Sequence, residues 1–403
     1  MMHRSILASL VVLSHFSLSL PVRAQRVGDK VVVISDSVEI KVRQDVIDTT
    51  NAGAIFVVRE VQGNRIGVNS VHGTGFIEKQ HLIPLSKAVS HWSEVIRSDS
   101  KDSAAYIGRG LAYRELRDYD KAIADYSEAL RLDPKSVAAY LNRGSVWSKK
   151  REYDKAIADF TEAIRLDPKY AGAYSNRGAA WQTKGDYDKA IANYNEAIRL
   201  DPQDAVAFYN RGHAWQNKGD FDQAIRDYSK ALQLDPKLAA AFYNRGQASE
   251  NKDKFDDAIA DDNEAIRIDP KYSRAYNARA WIWATCPDVR FRDGQRAVAS
   301  ATRACELDPA KASITIGTLA AAYAEAGDFE NAVKWQLRAI QVAPTSDQAN
   351  FQTRLDLFRS GKPYREEAKK SVRCSCRPTT LSSPLRPAGF DPSQLQAEFG
   401  RAI

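Results

Sequence analysis

Histidine and cysteine are the side chains that most often bind metals or serve as bases and nucleophiles, so they are the first test for catalysis. Four histidines follow residue 24, at His72, His81, His91 and His213. The cysteines are Cys286, Cys305, Cys374 and Cys376. Neither set has metal-ligand spacing, and HGTG at 72–75 has no helix after it to form a phosphate loop. We therefore predict that the protein is not an enzyme and binds no cofactor and no metal.

A second set of polar residues recurs at a fixed interval. AYLNRG at 139–144 returns as AYSNRG from 173 and as AFYNRG from 207 and from 241. Its asparagines are Asn142, Asn176, Asn210 and Asn244. A side-chain amide both donates and accepts hydrogen bonds, so a row of amides can pair with the C=O and N–H groups of an extended peptide. The alternative is that Asn is tolerated at these positions because it faces water.

The same interval of 34 residues separates a series of Asp-Pro pairs. The prolines are Pro134, Pro168, Pro202, Pro236 and Pro270. Each period holds two amphipathic segments, such as VAAYLNRGSVWSKK and YDKAIADFTEAIRL, which predicts two helices. Gly185, Gly219 and Gly327 mark the turn between the helices in three periods, and Asp-Pro ends the second helix because Pro cannot continue it.

This pattern resembles the tetratricopeptide repeat, a helix-turn-helix unit of 34 residues. We count repeats 1 to 5 from residues 103, 137, 171, 205 and 239. Position four is then aromatic, position eight is Gly, and positions twenty and twenty-seven are Ala. Repeat 6, from 273, carries five extra residues in CPDVRFRDG before Pro309, and repeat 7 regains the pattern through Pro344. AVSHWSEVIRSDS is predicted to be a half-repeat that caps the stack, and QANFQTRLDLFR a closing helix.

The resemblance implies a superhelix whose concave groove is lined by the first helix of each repeat. In that family positions two, five, six, nine, twelve and thirteen face the groove, which places the four asparagines there at position six. Neighbouring helices lie about 10 Å apart, so one Asn would meet about every third residue of a peptide extended at ~3.3 Å per residue. Further contacts are predicted from Tyr209, Tyr243, His213 and Gln247. A carboxylate clamp is disfavoured because repeats 2 to 5 lack lysines at positions two and five.

Two other positions predict contacts within the fold. Arg at position seven faces away from position six, and position twenty-three on the second helix is Asp in four of the first five repeats, so we expect ion pairs between the helices. Position twenty-four is aromatic in repeats 1 to 4 and becomes Asp262 in repeat 5. Because an unpaired buried carboxylate is costly, we predict a weak point there or pairing with an Arg.

Residues 27–85 differ from the repeats in kind. VGDKVVVI, VEIKV, AIFVVREV, NRIGVNSV and GFIEKQHLIPL predict five short strands separated by Gly, Asn and Asp, and hence a small barrel. The segment resembles the bacterial SH3-like module, particularly in its ending GFIEKQHLIPL. Phe56 and Phe76 are its aromatic residues, so binding of proline-rich peptides does not carry over from eukaryotic SH3 domains.

The two ends of the chain are distinct in composition. MMHRSILASLVVLSHFSLSLPVRA predicts a secretory signal cut after Ala24, with an uncleaved membrane anchor as the alternative. The net charge of +7 arises in this leader and in the basic residues 359–403, which leaves no excess on the folded part and argues against a nucleic-acid partner. Beyond about Lys370 the sequence has no sustained period and is predicted to be disordered.

The fold class predicted is mainly α: an α-solenoid of tetratricopeptide helix pairs preceded by a small all-β SH3-like barrel. The predicted segments are 1–24 signal peptide, 25–85 barrel, 86–102 capping half-repeat, 103–345 superhelix of about seven repeats, 346–370 closing helix and 371–403 tail. We predict an exported scaffold, periplasmic or secreted, without a membrane span after signal cleavage, whose groove binds extended segments of a protein partner. The alternatives are a cell-wall or glycan-binding protein that recognises its ligand through the barrel, and self-association with the groove filled by another copy's tail.

Overall fold

The computed structural model describes residues 28–34, 38–42, 45–50, 53–70, 73–307 and 312–366. The predicted signal segment, His72, Pro309 and the tail with Cys374 and Cys376 lie outside the described residues. The chain divides into two compact bodies between Pro134 and Lys135. The N-terminal body holds the described strands and three helices, and the C-terminal body holds thirteen more described helices.

The described strands form two antiparallel sheets. They are β1 (Lys30–Val33), β2 (Val38–Val42), β3 (Asp45–Thr50), β4 (Ile55–Val57), β5 (Glu60–Gln62), β6 (Arg65–Ser70), β7 (Gly73–Glu78) and β8 (Leu82–Pro84). One sheet has the order β4-β1-β8 and the other β3-β2-β7-β6-β5. A register shift between Ile40 and Lys41 bends β2 against β3.

The prediction of five strands was wrong in two respects. The sequence DVIDTT forms β3, which was not predicted because it lacks apolar alternation; an edge strand pairs on one side and can be polar. Two predicted strands are each divided in two. AIFVVREV contributes β4 to one sheet and β5 to the other, and GFIEKQHLIPL is broken by a 3-10 turn at Lys79–His81.

Strand β1 is buried on both of its faces. Because side chains alternate along a strand, Val31 and Val33 enter the core between the sheets while Val32 points the other way. Val32 packs in a second core with Trp92 of the first helix. This second core therefore joins the strands to the helices of the N-terminal body. Strand β8 also runs into the first helix at Leu85 with no residue between them.

The helices of the N-terminal body are α1 (Leu85–Ser98), α2 (Ser103–Glu115) and α3 (Tyr119–Leu132). Helix α1 occupies the segment predicted to be a half-repeat. Its Trp92 ring lies so close to α2 that a Cβ on Gly108 would be 2.5 Å from Trp92 Cε2. Trp92 thus covers the open side of repeat 1, as a capping helix should.

The C-terminal body is a run of antiparallel helix pairs closed by a single helix. Its helices are α4 (Val137–Lys149), α5 (Tyr153–Leu166), α6 (Ala171–Thr183), α7 (Tyr187–Leu200), α8 (Ala205–Lys218), α9 (Phe221–Leu234), α10 (Ala239–Glu250), α11 (Phe255–Ile268), α12 (Ser273–Thr285), α13 (Gly294–Leu307), α14 (Ala312–Glu325), α15 (Phe329–Val342) and α16 (Gln348–Arg359). The extra residues of repeat 6 form a 3-10 turn at Val289–Phe291. Helix α16 buries Phe351, Leu355 and Phe358 and is the predicted closing helix.

The helix ends follow the predicted signals. Each second helix of repeats 1 to 5 stops at the residue before its Asp-Pro pair; Asp201, for example, is extended with φ −131° and ψ 92°. At the start of the same helix Asp186 Oδ1 accepts a hydrogen bond from Lys189 N at 3.1 Å, which satisfies an N-terminal donor.

The turn between the two helices requires a left-handed residue. Gly185 and Gly219 supply it with φ of 85° and 89°. Arg117, Arg151 and Asp253 hold the same position in the other early repeats with φ of 61°, 63° and 58°. Residues with a Cβ pay a steric cost in that region, so these three turns are strained and the glycine turns are not.

Candidate functional site

The four predicted asparagines lie at the same position of α4, α6, α8 and α10, but their environments differ. Asn142 is 2 % exposed and its Nδ2 donates to Ala138 O at 2.9 Å. Asn244 is also buried, whereas Asn176 and Asn210 are partly exposed. Asn210 makes no hydrogen bond to a described residue through its side chain. The row is therefore made of two buried and two accessible amides.

Tyr209 and Asn244 connect two successive first helices. The Asn244 Nδ2 atom donates to Tyr209 Oη at 2.7 Å. Tyr209 is 2 % exposed and its ring lies 5.7 Å from that of Tyr228 on the second helix of the same repeat. Burial raises the pKa of Tyr209 well above its usual range. Tyr209 is therefore a packed residue that holds Asn244 in place, and the predicted contact of its side chain with a peptide is not available in this structure.

Tyr243 and Gln247 form a second link, one repeat further along. Gln247 Nε2 donates to Tyr243 Oη at 2.7 Å, and the Tyr243 ring meets Tyr272 edge-on at 5.5 Å. Tyr272, which was not among the predicted site residues, precedes α12 directly. Its recurrence as an aromatic residue just before a first helix, as at Tyr170, was the available signal.

His213 lies in the same series of contacts on α8. Gln182 of the preceding first helix reaches its Nδ1 at 2.6 Å, and Asn217 one turn along α8 lies at 3.4 Å. Burial lowers the pKa of His213 to about 4, so the ring is neutral at pH 7. A neutral imidazole donates one hydrogen bond and accepts one, but it offers no charge to a ligand.

The structure thus brings the predicted residues of repeats 4 and 5 together across helices.

In repeats 3 and 4 a tyrosine on the second helix supports a glutamine on the first helix. Tyr194 Oη donates to Gln182 Oε1 at 3.2 Å, and Tyr228 Oη donates to Gln216 Oε1 at 2.7 Å. The second helix therefore holds the groove-side amide of the first helix in place. Gln182 and Gln216 were missed in the sequence, where their common position twelve could have revealed them.

Repeat 5 replaces that support with two carboxyl groups. Asp262 occupies position twenty-four, where repeats 3 and 4 have Tyr194 and Tyr228, and Glu250 occupies position twelve, where they have glutamine. Asp262 is 2 % exposed, and its Oδ1 has no hydrogen-bond partner among the described residues. Burial, aided by the nearby Glu250, raises the pKa of Asp262 well above its usual range. The predicted pairing with an Arg is not formed, which leaves the predicted weak point as the alternative.

The ion pairs predicted between helices are confirmed. Each Arg donates through Nη2 and Nε to both carboxylate oxygens of the Asp sixteen residues later. The pairs are Arg109–Asp125, Arg143–Asp159, Arg211–Asp227 and Arg245–Asp261, with Nη2–Oδ1 distances of 2.6–2.7 Å. In repeat 3 Arg177 Nε donates to Asn193 Oδ1 at 2.7 Å. These arginines therefore join the two helices of each repeat.

A second series of ion pairs, between repeats, was not predicted. Lys184 pairs with Asp154, Lys218 Nζ lies 2.5 Å from Asp188 and Lys252 Nζ lies 2.5 Å from Asp222. Each lysine lies at or just after the end of the first helix of one repeat, and each aspartate lies in the first turn of the second helix of the repeat before it. Their constant spacing of 30 residues was the signal in the sequence.

Sequence families match most of this helical region. The tetratricopeptide repeat family matches residues 85–137 and 107–169, 205–238, 239–272 and 316–346, and the TPR repeat family matches 183–219. These repeats are tetratricopeptide repeats. Among curated proteins, none matches the chain.

Solved structures with tetratricopeptide repeats (TPRs) are similar over parts of the chain. YrrB, described as a TPR protein with an unusual peptide-binding site, is 26% identical over 48% of this chain and 99% of its own, with a TM-score of 0.41. MamA protein is 28% identical over 43% of this chain and 94% of its own, with a TM-score of 0.39. Yeast Tom70 is 18% identical over 68% of this chain and 59% of its own, with a TM-score of 0.47.

Metal sites and membrane spans were sought among the same described residues. No group of three or more His, Cys, Asp or Glu side chains there is placed to hold a metal ion. No helix in that part combines the length and the apolar character that a membrane span requires. Cys286 and Cys305 are both free thiols, and burial raises the pKa of Cys305 to about 11.

Proposed function

We propose that the protein is a non-catalytic scaffold that binds extended segments of a protein partner along the first helices of its TPRs. The observation that carries this proposal is the series of contacts between successive first helices. Asn244 bonds to Tyr209 and Gln182 bonds to His213, so residues from three repeats lie side by side. Asn210 lies in this series with an amide that has no partner among the described residues.

The accessible amides are the ones that would contact the peptide main chain. Asn176 and Asn210 are partly exposed, and each can donate and accept. Asn142 and Asn244 hold the surface in shape, since their amides bond to Ala138 O and Tyr209 Oη. Tyr209, Tyr243 and Gln247 would support these contacts from behind. A surface of this kind binds peptide main chain without demanding one sequence.

The test uses a peptide that is selected from a random phage-displayed library for binding to the full chain. With that labelled peptide, the double variant Asn176→Ala, Asn210→Ala should raise Kd roughly ten- to thirtyfold, because two amide contacts at ~1 kcal/mol each are lost. Gln233→Ala, an exposed amide on the second helix α9, is the matched control and should leave Kd unchanged. An unaltered Kd in the double variant removes the amide row as the binding site.

A second candidate function places recognition in the region of strands β1 to β8, which we call the β-domain and propose to be SH3-like. A cavity of about 410 Å³ lies on that domain, lined by Arg65, Phe76, Glu39, Lys41 and neighbouring residues. The Arg65 guanidinium stands 5.7 Å from the centre of the Phe76 ring. An aromatic face bordered by charged groups suits a sugar or a cell-wall peptide, with the TPRs serving as a spacer.

The two functions are separated on the intact chain, because the core shared by Val32 and Trp92 crosses the boundary at which the domains would be cut. Purified peptidoglycan and the selected peptide serve as the two probes. Recognition by the β-domain predicts that Arg65→Ala, Phe76→Ala abolishes sedimentation with peptidoglycan and leaves peptide affinity intact. Loss of peptide affinity alone in the Asn176, Asn210 variant supports the scaffold.

Export belongs to the same proposal. The leader ending at Ala24 has the features of a secretory signal, which would place the scaffold in the periplasm or outside the cell. The N-terminal sequence of the mature protein, determined from the native compartment, should begin at Gln25. Self-association through the groove is the remaining alternative, and a concentration series in sedimentation velocity measures it.

A further inference from the structure

The series of ion pairs between repeats stops at repeat 5. Asp154, Asp188 and Asp222 each pair with a lysine 30 residues later. The next aspartate in the series is Asp256, and the residue 30 positions later is Cys286. A thiol cannot replace the ammonium group, so Asp256 lacks the paired lysine that its three counterparts have.

A cavity of about 570 Å³ opens where that lysine would lie. Its walls come from the start of α11 and from the extra residues of repeat 6, with Phe255 and Phe291 packed together at 5.5 Å. The charged residues that line it are Asp253, Asp256, Asp257, Asp288, Lys254 and Arg290. Arg290 is already paired with Asp288 at 2.6 Å.

The remaining three aspartates make the cavity acidic. Asp253, Asp256 and Asp257 are exposed, and their carboxylates make no hydrogen bond or close ion pair with a described residue, although Arg290 attracts Asp256 and Arg245 attracts Asp257. Lys254 is the one lining cation outside the Arg290–Asp288 pair in the described part of the chain. A lysine-rich segment would therefore be attracted to this cavity, because a lysine side chain has a charged end for the aspartates and an apolar stem that can pack on Phe255 and Phe291.

The C-terminal segment of the chain arrives beside the missing lysine. Glu366 N donates to Thr285 O at 3.0 Å, and Thr285 immediately precedes Cys286. Trp281 Nε1 donates to Glu366 Oε1 at 2.8 Å, and the Tyr364 ring lies 5.9 Å from Trp281. These contacts fix the point at which the chain leaves the described part of the structure.

Glu367 comes next, and the sequence after it is rich in basic residues. Lys369 and Lys370 come three and four residues after Glu366, and Arg373 and Arg377 follow. Three residues span at most about 10 Å, to which a lysine side chain adds its own length. In the earlier repeats a lysine one residue beyond the equivalent of Thr285 reaches the aspartate, so the chain leaves Glu366 beside the position that such a lysine would hold.

We propose that the basic segment 369–373 docks into the acidic cavity of repeats 5 and 6 and supplies to Asp256 the cation that Cys286 does not. The cavity is separate from the amide row, so this docking does not depend on peptide binding there. It ties the C-terminal tail to the last repeats and continues the series of ion pairs that Asp154, Asp188 and Asp222 form in the preceding repeats.

Zero-length cross-linking of the full chain tests the docking. A water-soluble carbodiimide joins a carboxylate to an amine only where the two groups touch, and digestion with mass spectrometry locates the joined peptides. We expect amides between Asp256 or Asp257 and Lys369 or Lys370. The pairs Asp188–Lys218 and Asp222–Lys252 are internal standards that should cross-link in the same sample.

Two variants identify the groups. The double variant Asp256→Asn, Asp257→Asn should lose the cross-link to the tail and keep the two standard cross-links. The triple variant Lys369→Glu, Lys370→Glu, Arg373→Glu should raise the deuterium uptake of residues 253–257 and 287–291. Mixing unlabelled with ¹⁵N-labelled chains shows whether the link lies within one chain. Standards without a tail link, links that join light to heavy chains, or unchanged deuterium uptake would overturn the proposal.

Discussion

Repeats 4 and 5 carry the same AFYNRG on their first helices and are supported in different ways. In repeat 4 the buried Tyr228 fills the space behind the first helix and donates to Gln216 at 2.7 Å. In repeat 5 the same space holds Asp262, whose Oδ1 is buried without a partner among the described residues. The two repeats thus carry the same first-helix hexapeptide over different packing, and they also differ at positions nine and twelve, where His213 and Gln216 are replaced by Gln247 and Glu250.

Replacing Tyr228 of repeat 4 by the aspartate that repeat 5 has at the same position should have the largest effect on stability. We expect Tyr228→Asp to lower the free energy of unfolding by about 4 kcal/mol, because it removes a buried ring and buries an unpaired carboxyl group. Urea denaturation followed by circular dichroism measures the change. Tyr228→Phe, which loses only the hydrogen bond to Gln216, should cost about 1 kcal/mol; equal losses in the two variants would contradict the assignment to packing.

The reverse exchange in repeat 5 should stabilise the protein. Asp262→Tyr restores the ring and gives Glu250 a hydroxyl donor, so we expect a gain of about 2 kcal/mol. Asp262→Asn is the control that removes the titrating group without adding a ring. If Asp262→Tyr destabilises the chain in urea, the surroundings of Asp262 have closed around the smaller side chain.

Asp262 should also make stability depend on pH. Its pKa is raised by burial and by Glu250 and Asp261, while Arg279 opposes them. The folded state therefore keeps a proton that the unfolded chain releases near pH 4, so stability falls as pH rises from there to the folded-state pKa. The slope should approach about 1.4 kcal/mol per pH unit, and Tm measured between pH 4 and 7 should show it in the parent chain. Asp262→Asn should have a smaller slope, and parallel curves would refute the claim.

The repeat architecture could be predicted from the sequence because its signals are local and recur. The spacing of the prolines, the glycine at position eight and the Arg–Asp positions led to helix boundaries and ion pairs that the structure confirms. Strand β3 could not be predicted in this way, because DVIDTT is a strand only through its pairing with β2. The burial of Asn142 and Asn244 also escaped prediction, since position six has one sequence identity and two environments.

The smallest expected change in stability concerns the turns between the helices of repeats 4 and 5. Gly219 has φ 89° and open space where a Cβ would stand, with no atom within 4 Å, and Asp253 holds the same turn with φ 58°. Replacing Asp253 by Gly should therefore raise the free energy of unfolding by up to about 1 kcal/mol, and Gly219→Ala should lower it by a similar amount. Asp253→Asn, which loses the same charge and keeps a Cβ, is the matched control in urea denaturation. A gain as large in Asp253→Asn as in Asp253→Gly would show that charge repulsion with Asp256 and Asp257, and not backbone strain, weakens the turn of repeat 5.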